Sequence, residues 1–417
     1  MAQQRDDSQV TPRIRRARVA TFCGFALVGA LMYIWSTSVT AFRNHLGLSG
    51  AEGDLSFGLI AFGIGAGAAV GSLFIGRLID LYGAKRIVGM TLVLYPLSIV
   101  PLGLVGNVPF ALAFGIALGL LRGAADTALN AHGVQVERFY RRPIMSAFHA
   151  FYSLGGFLFG MVGSYFAGRS AESALLPFMA CGLALLAASV VICRYLLDKD
   201  DMPAPQHAPH ALQGTPATAT HGHIVLLMVG FGVLLLGAMV GENAVADWGQ
   251  EYLSREVGTT ASVAGMAISF FTGAQFIGRL VGDRLAEWMG APRLVCLSGL
   301  CAVLGLIVTI TGTNAVAGMI GFSMFGLGVS CIAPLMLSSA GRKDPLNAGR
   351  NIGIVNGIGY TGMLAAPAAL SLIVSAFGIG MLLYFPLVLL ALLALFGPQL
   401  MRDRRPSTAT PAVRSAL

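Results

Sequence analysis

Twelve apolar runs, each followed by a short polar break, leave this chain few ways to fold. They cover about residues 19–41, 56–79, 87–106, 108–133, 144–167, 174–197, 224–247, 261–281, 294–311, 315–337, 351–377 and 380–400. A helix needs about 20 residues to cross the hydrocarbon layer of a bilayer. Within that layer no water satisfies backbone N–H and C=O groups, so each run must be helical. Charged residues make up only 11% of the 417, against roughly 25% in soluble domains. The expected class is therefore an all-α membrane protein with twelve transmembrane helices, embedded in a lipid bilayer, and a soluble fold is excluded.

Arginine and lysine set the expected orientation. Of 27 such residues, 23 fall on the side that holds both termini, and Arg43, Arg169 and Arg255 fall on the other. The remaining one, Arg122, lies inside a run. Positive charge is retained on the cytoplasmic side, so both termini are expected there, in a bacterial inner membrane. The net charge of +8 thus reports topology, and no nucleic-acid partner is implied. The first run is too long for a signal-peptide core and has no Ala-x-Ala cleavage site, so it reads as a retained span.

The chain divides into a tail (1–18), a six-helix half (19–197), a linker (198–223), a second half (224–400) and a basic tail (401–417). The linker carries Pro203, Pro205, Pro209 and Pro216 and reads as a solvated connection. Its His207, His210, His221 and His223 lack the acidic or cysteine partners of a metal site, so no metal is expected. The six cysteines sit in or beside apolar runs and read as small buried hydrophobes.

The halves repeat each other. Gly76-Arg-Leu-Ile-Asp80-Leu-Tyr-Gly83-Ala-Lys85-Arg86 joins the second and third runs, and Gly278-Arg279, Asp283-Arg284 and Gly290 form a looser copy. With an offset of 207, His149-Ala-Phe-Tyr-Ser-Leu-Gly155 aligns with Asn356-Gly-Ile-Gly-Tyr360-Thr-Gly362. Parallel six-helix repeats suit alternating access, with a site between them. Gly63, Gly67 and Gly71 place small residues on one face of the second helix, where a neighbour can come close.

Twelve spans, the 6+6 repeat, the central linker and this loop signature together resemble the major facilitator superfamily over about residues 19–400. The family loop reads approximately Gly-x-Leu-Ala-Asp-Arg-x-Gly-Arg-Lys. This chain keeps Gly76, Leu78, Asp80, Gly83 and Lys85, with Leu81 and Ala84 where arginine is frequent. The resemblance implies that Asp80 latches onto the start of the eleventh helix near Arg350. By symmetry Asp283 should meet the start of the fifth near Arg141-Arg142. A solvated loop is the alternative. Glu242-Asn-Ala-Val-Ala-Asp247-Trp248, Asp126-x-x-x-Asn130 and Phe148-His149 are similar to a fucose-permease-like bacterial branch.

Polar groups inside spans are costly and mark function by default. Arg122, Asp126 and Asn130 share one face of the fourth helix. His149 enters the fifth at a depth where it can approach Asp126 and share a proton, or else pack the two helices together. Glu242, Asn243 and Asp247 are expected near the outer end of the seventh helix, with Trp35 at the repeat position of Glu242. Asn356 and Tyr360 share a face of the eleventh, and Gln275 of the eighth faces a cavity or pairs with Arg279.

No Gly-x-Ser-x-Gly or His-Glu-x-x-His occurs, and none of the three lysines follows a glycine, as a phosphate-cradling loop requires. The chain is thus expected not to be an enzyme and to use no cofactor. The expected function is secondary transport of a small-molecule substrate by a monomer, driven by protons and directed to uptake of a sugar or similar polar metabolite. The alternatives are efflux of an amphipathic compound and, more remotely, a membrane sensor.

Overall fold

The computed structural model describes residues 10–140, 144–170, 172–198, 221–343 and 348–402. Among these residues twelve helical segments are long and apolar enough to cross a membrane, one for each expected run. The first half holds α1 (Pro12–Ser36), the short α2 (Val39–His45), α3 (Gly50–Tyr82), α4 (Ala84–Ser98), α5 (Val108–Tyr140), α6 (Met145–Ala167) and α7 (Leu175–Cys193). The second holds α8 (His221–Glu256), α9 (Ala261–Met289), α10 (Ala291–Thr311), α11 (Ala315–Val329), α12 (Ile332–Lys343), α13 (Ala348–Phe377) and α14 (Tyr384–Met401). No strand occurs among the described residues.

Local chemistry explains where the helices depart from the apolar runs. Residues 12–18 carry no apolar periodicity, yet they form the first turns of α1. Thr11 caps them by accepting from the Ile14 N–H, and Pro12 at the first position forfeits no hydrogen bond. The first run also breaks at Thr37-Ser38, so its end becomes α2. The tenth run divides into α11 and α12. Pro334 has no N–H to offer the Ser330 carbonyl, which removes a helical bond at that break.

The internal repeat is visible in backbone detail. Gly83 ends α3 at φ 87°, ψ 149°, and its repeat mate Gly290 ends α9 at φ 83°, ψ 146°. Each donates its N–H to an equivalent carbonyl, Ile79 and Ala286. Only glycine holds that conformation without strain. Helix pairing follows the same two-fold rule. Within the halves, α1 packs on α6 as α8 packs on α13, and α3 on α5 as α9 on α11. Between them, α6 packs on α9 as α13 packs on α3.

Glycines let these helices touch. A Cβ on Gly67 or Gly71 would strike the backbone carbonyls of Ile116 or Leu120, and one on Gly119 or Gly123 those of Ile64 or Ala68. The stripe expected on the second span therefore exists, and α5 answers it with a stripe of its own. Outside, Leu73, Phe74 and Phe377 are exposed, which suits a surface wetted by lipid.

The halves also meet at their outer ends, opposite the arginine-rich loops. Gln250 of α8 donates to the carbonyls of Thr37 (2.6 Å) and Ala261 (3.0 Å) and accepts from the Thr40 N–H (3.0 Å). The Ser371 hydroxyl of α13 donates to the Asp54 carbonyl of α3 at 3.0 Å.

Candidate functional site

Five helices bring polar groups to the middle of the bundle. From the first half come Trp35 and Tyr33 (α1), Tyr95 (α4), Arg122 and Asp126 (α5) and Tyr152 (α6). From the second come Glu242 and Asp247 (α8) and Gln275 (α9). Arg122 interacts electrostatically with Tyr152 and Tyr95 and, across the halves, with Asp247, as well as with Asp126 on its own helix. Glu242 faces Arg279 and the Gln275 amide.

What distinguishes this set is how little of it is paired. Arg122, Asp126, Glu242 and Asp247 each lack an ion pair within 4.0 Å. The Trp35 indole N–H is directed towards Asp247 but makes no hydrogen bond of ordinary geometry, and the buried Gln275 amide N–H2 is likewise unbonded. Arg122, Asp126, Tyr152 and Glu242 are partly exposed although they lie deep within their helices. Charges on the lipid face would be expelled to the interface, so these groups line an internal polar cleft.

Arg279 falls in the loop-signature copy by sequence, yet it acts inside the bundle. Its guanidinium crosses from α9 to α6, donating to the His149 carbonyl at 3.1 Å and to the Ser153 hydroxyl. It therefore ties the halves together beside the cleft. Gly278, one residue earlier, sits against Ser330 and Cys331, and its carbonyl accepts from the Cys331 thiol at 3.3 Å.

His149 does not pair with Asp126. Its ring meets Asn130, with Nε2 and Oδ1 3.1 Å apart, and lies edge-on to Phe25. Asn130 donates through Nδ2 to the Asp126 carbonyl at 2.9 Å, which leaves Oδ1 as the acceptor and puts the proton on His149 Nε2. Asn130 thus occupies the place expected of the Asp126 side chain. Asp247 also differs from expectation. Because α8 runs on to Glu256, Asp247 lies more than two turns from the end of the helix and faces the cleft, not the outer rim. Trp248 is fully buried, edge-on to Phe57 at 5.0 Å, so it is no interfacial anchor. Asn243 donates to the Met239 carbonyl at 2.8 Å, and Asn356 is partly buried.

The gate signature is only partly described. The side chains of Asp80 and Tyr360 lie outside the described residues, as do Arg141, Arg142 and the side chain of Arg350, so both expected latch contacts fall there. The linker histidines His207 and His210 lie outside as well. At the start of α6 the described capping group is Glu137, whose carboxylate accepts from the N–H of Ile144 (2.7 Å) and Met145 (3.0 Å). Lys85 pairs with Asp198 at 2.9 Å, joining the start of α4 to the start of the linker, and Arg86 is exposed. Both partners of the Lys85 pair are well exposed. Lys85→Ala should therefore change stability by less than about 1 kcal/mol, which a melting curve in detergent would read.

Two groups carried no sequence signal strong enough to single them out. Tyr33, Tyr95 and Tyr152 read as ordinary aromatic residues until the fold gathers them around Arg122. His132 is completely buried. It accepts from the Leu197 N–H at 2.9 Å, and its Nδ1 lies 3.1 Å from the Thr21 hydroxyl. Arg13 reaches the Leu196 carbonyl at 2.5 Å and the Tyr195 carbonyl at 2.9 Å. Together they dock the start of the linker against α1 and α5.

Two six-helix repeats enclosing an unpaired polar cleft define a polytopic membrane transporter. The chain belongs to the Major Facilitator Superfamily, whose sequence model matches residues 20–248 and 231–416. It is similar to the uncharacterized transporter y4wD of Sinorhizobium fredii, at 29% identity over 382 residues, 90% of this chain and 96% of that one. The fold matches the crystal structure of the nucleoside transporter NupG with a TM-score of 0.69 at 13% identity, over 94% of this chain and 100% of that one. It matches the D-xylose-proton symporter with a TM-score of 0.69 at 14% identity, over 92% and 97% of the two chains. Family and relative are transporters, and this chain is one and not an enzyme.

Proposed function

We propose that the protein is a proton-coupled carrier that brings a small polar solute, a sugar or related metabolite, across the inner membrane by alternating access. The observation that carries this reading is the set of unpaired charges in the cleft. A charged side chain at the centre of a bilayer costs about 3 kcal/mol even on the mildest scales. A fold that keeps Arg122, Asp126, Glu242 and Asp247 there without partners is built for something that pairs with them in passing. Arg122, Trp35, Gln275 and the tyrosines offer donors and the carboxylates offer acceptors, which suits a ligand rich in hydroxyls. An amphipathic efflux substrate would call for a more apolar lining.

Charge balance supports coupling. Asp126, Glu242 and Asp247 face Arg122 and Arg279, so one negative charge is left over for a proton to neutralise. The structural neighbours add support, since one carries nucleosides and another carries D-xylose with protons. So does the fucose-permease-like pattern of α5, α6 and α8. The excess of arginine and lysine on one side supports cytoplasmic termini, and the hydrogen bonds at the outer ends suit the inward-facing state of a monomer.

A thermal-shift screen of the purified protein against sugars, nucleosides, organic acids and amino acids should identify a ligand. That ligand should then enter proteoliposomes with saturable kinetics. A protonophore should abolish its accumulation, and Asp126→Asn should bind it but no longer concentrate it. Accumulation that is indifferent to both treatments would rule out the coupling. A screen in which only amphipathic compounds stabilise the protein would rule out the polar substrate.

A further inference from the structure

At the outer ends of the helices, far from the cleft, four charged side chains from both halves meet in a largely buried cluster. Asp54, near the start of α3, is 2% exposed and accepts from Arg43 of α2 at 2.6 Å. It also accepts two hydrogen bonds from Arg255 of α8, at 2.8 and 3.2 Å. Arg43 is 3% exposed and pairs with Glu251 of α8 at 3.4 Å. Glu251 lies 4.0 Å from Arg255, one turn away, and accepts from the Thr40 hydroxyl at 2.7 Å. The rings of Phe57 and Trp248, one from each half, cover the Arg43 guanidinium at 5.1 and 5.5 Å.

The arithmetic of this cluster is specific. Each half supplies one cation and one anion. Within the halves the pairs are Arg43–Asp54 and Glu251–Arg255, and between them Asp54–Arg255 and Arg43–Glu251. Stripping a buried charge of its partner costs about 3–5 kcal/mol. Separating these halves strips none, because each leaves with a neutral pair of its own. Assembling them adds two contacts and removes the cluster from water.

We propose that Arg43, Asp54, Glu251 and Arg255 form the outer gate, a quartet that closes by making its two cross-half pairs and opens by falling back on its two internal ones. This rests on the alternating-access reading above but concerns a different part of the molecule. Neutrality within each half keeps the gate reversible, and the cross-half pairs set how long it stays shut. A cluster that served folding alone would have no reason to be neutral on each side of the moving interface.

Two double substitutions separate these roles, because they rearrange the same charges in opposite ways. In D54R/R255D the cross-half pairs survive with reversed sign, but each half then carries two like charges, so opening is penalised. In R43D/D54R each half stays neutral, but the cross-half contacts become Asp–Glu and Arg–Arg, so closure is penalised. Spin labels at Ser49→Cys and Phe377→Cys, both exposed at the outer ends, would report the distance by double electron–electron resonance. The six native cysteines would be replaced first. D54R/R255D should collapse the distribution to the short distance and stop transport, and R43D/D54R should shift it to the long one. The single changes D54N and R255Q, which disturb packing least, should raise the ratio of long to short distances about tenfold. Double variants that both shift the same way would overturn the gate. So would wild-type distributions in both single variants, which decide alone if the doubles do not fold. A wild-type protein that never samples the long distance in any condition would instead count against alternating access itself.

Discussion

Arg122→Ala should weaken binding of the transported solute about 10- to 100-fold, the size of a lost hydrogen bond to a charged group. Its melting temperature should stay the same or rise. The reason is the absence of a partner. Arg122 makes no ion pair within the protein, so its removal breaks nothing and relieves the cost of an unpaired charge inside the membrane. Stability spent in this way marks a site shaped for a ligand. Arg122→Lys keeps the charge but loses the planar fork, and should fall between the two in affinity. Calorimetry with the ligand from the thermal-shift screen, beside a melting curve of each variant, would test both halves of the expectation. A large drop in melting temperature with unchanged affinity would make Arg122 a structural residue.

Gly119→Leu should have the largest effect on folding. A side chain there would run into the Ile64 carbonyl of α3, which sits where the Cβ would go. Backbone cannot give way as a flexible side chain can, so α3 and α5 would have to part along their seam. Overpacking of this kind costs about 3 kcal/mol and often more, a large share of the margin of a folded domain. The expected result is a sharp loss of monodisperse protein in size-exclusion chromatography. Gly357→Ala is the control, because a Cβ at Gly357 meets nothing within 4 Å and alanine favours the helix. Equal yields from the two variants would show that the glycine seam does not hold the first half together.

Much of the architecture could be read from the residues. The bilayer forces every apolar run into a helix, and the 207-residue offset sets two copies side by side. Gly83 and Gly290 were visible as punctuation, and both take the positive φ that only glycine accepts comfortably. The spacing of Gly63, Gly67 and Gly71 exposed one side of a helix seam, because small residues four apart share a face. Boundaries were less legible. Residues 12–18 and the ends of α5, α8 and α9 are polar but still helical, since a helix continues past the hydrocarbon wherever capping and water satisfy its backbone.

The candidate site was legible in its members and not in its connections. Arg122, Asp126, Glu242 and Asp247 declare themselves because charge inside a span needs a reason. Spacing along one helix fixes which side chains share a face. It does not fix which neighbour they meet or how far each helix has turned. Hence Asn130, not Asp126, meets His149, and Arg279 leaves its loop motif to hold α6.

The outer quartet shows the same division most clearly. Arg43, Asp54, Glu251 and Arg255 look like loop charges, spread over more than two hundred residues of sequence. The sequence by itself determined that the chain crosses the membrane twelve times, as two related halves with costly polar residues inside, because burial of backbone and charge in lipid admits few solutions. Only the tertiary structure decided which of those charges face one another across the halves and which remain unpaired, because that depends on the docking of one repeat against the other.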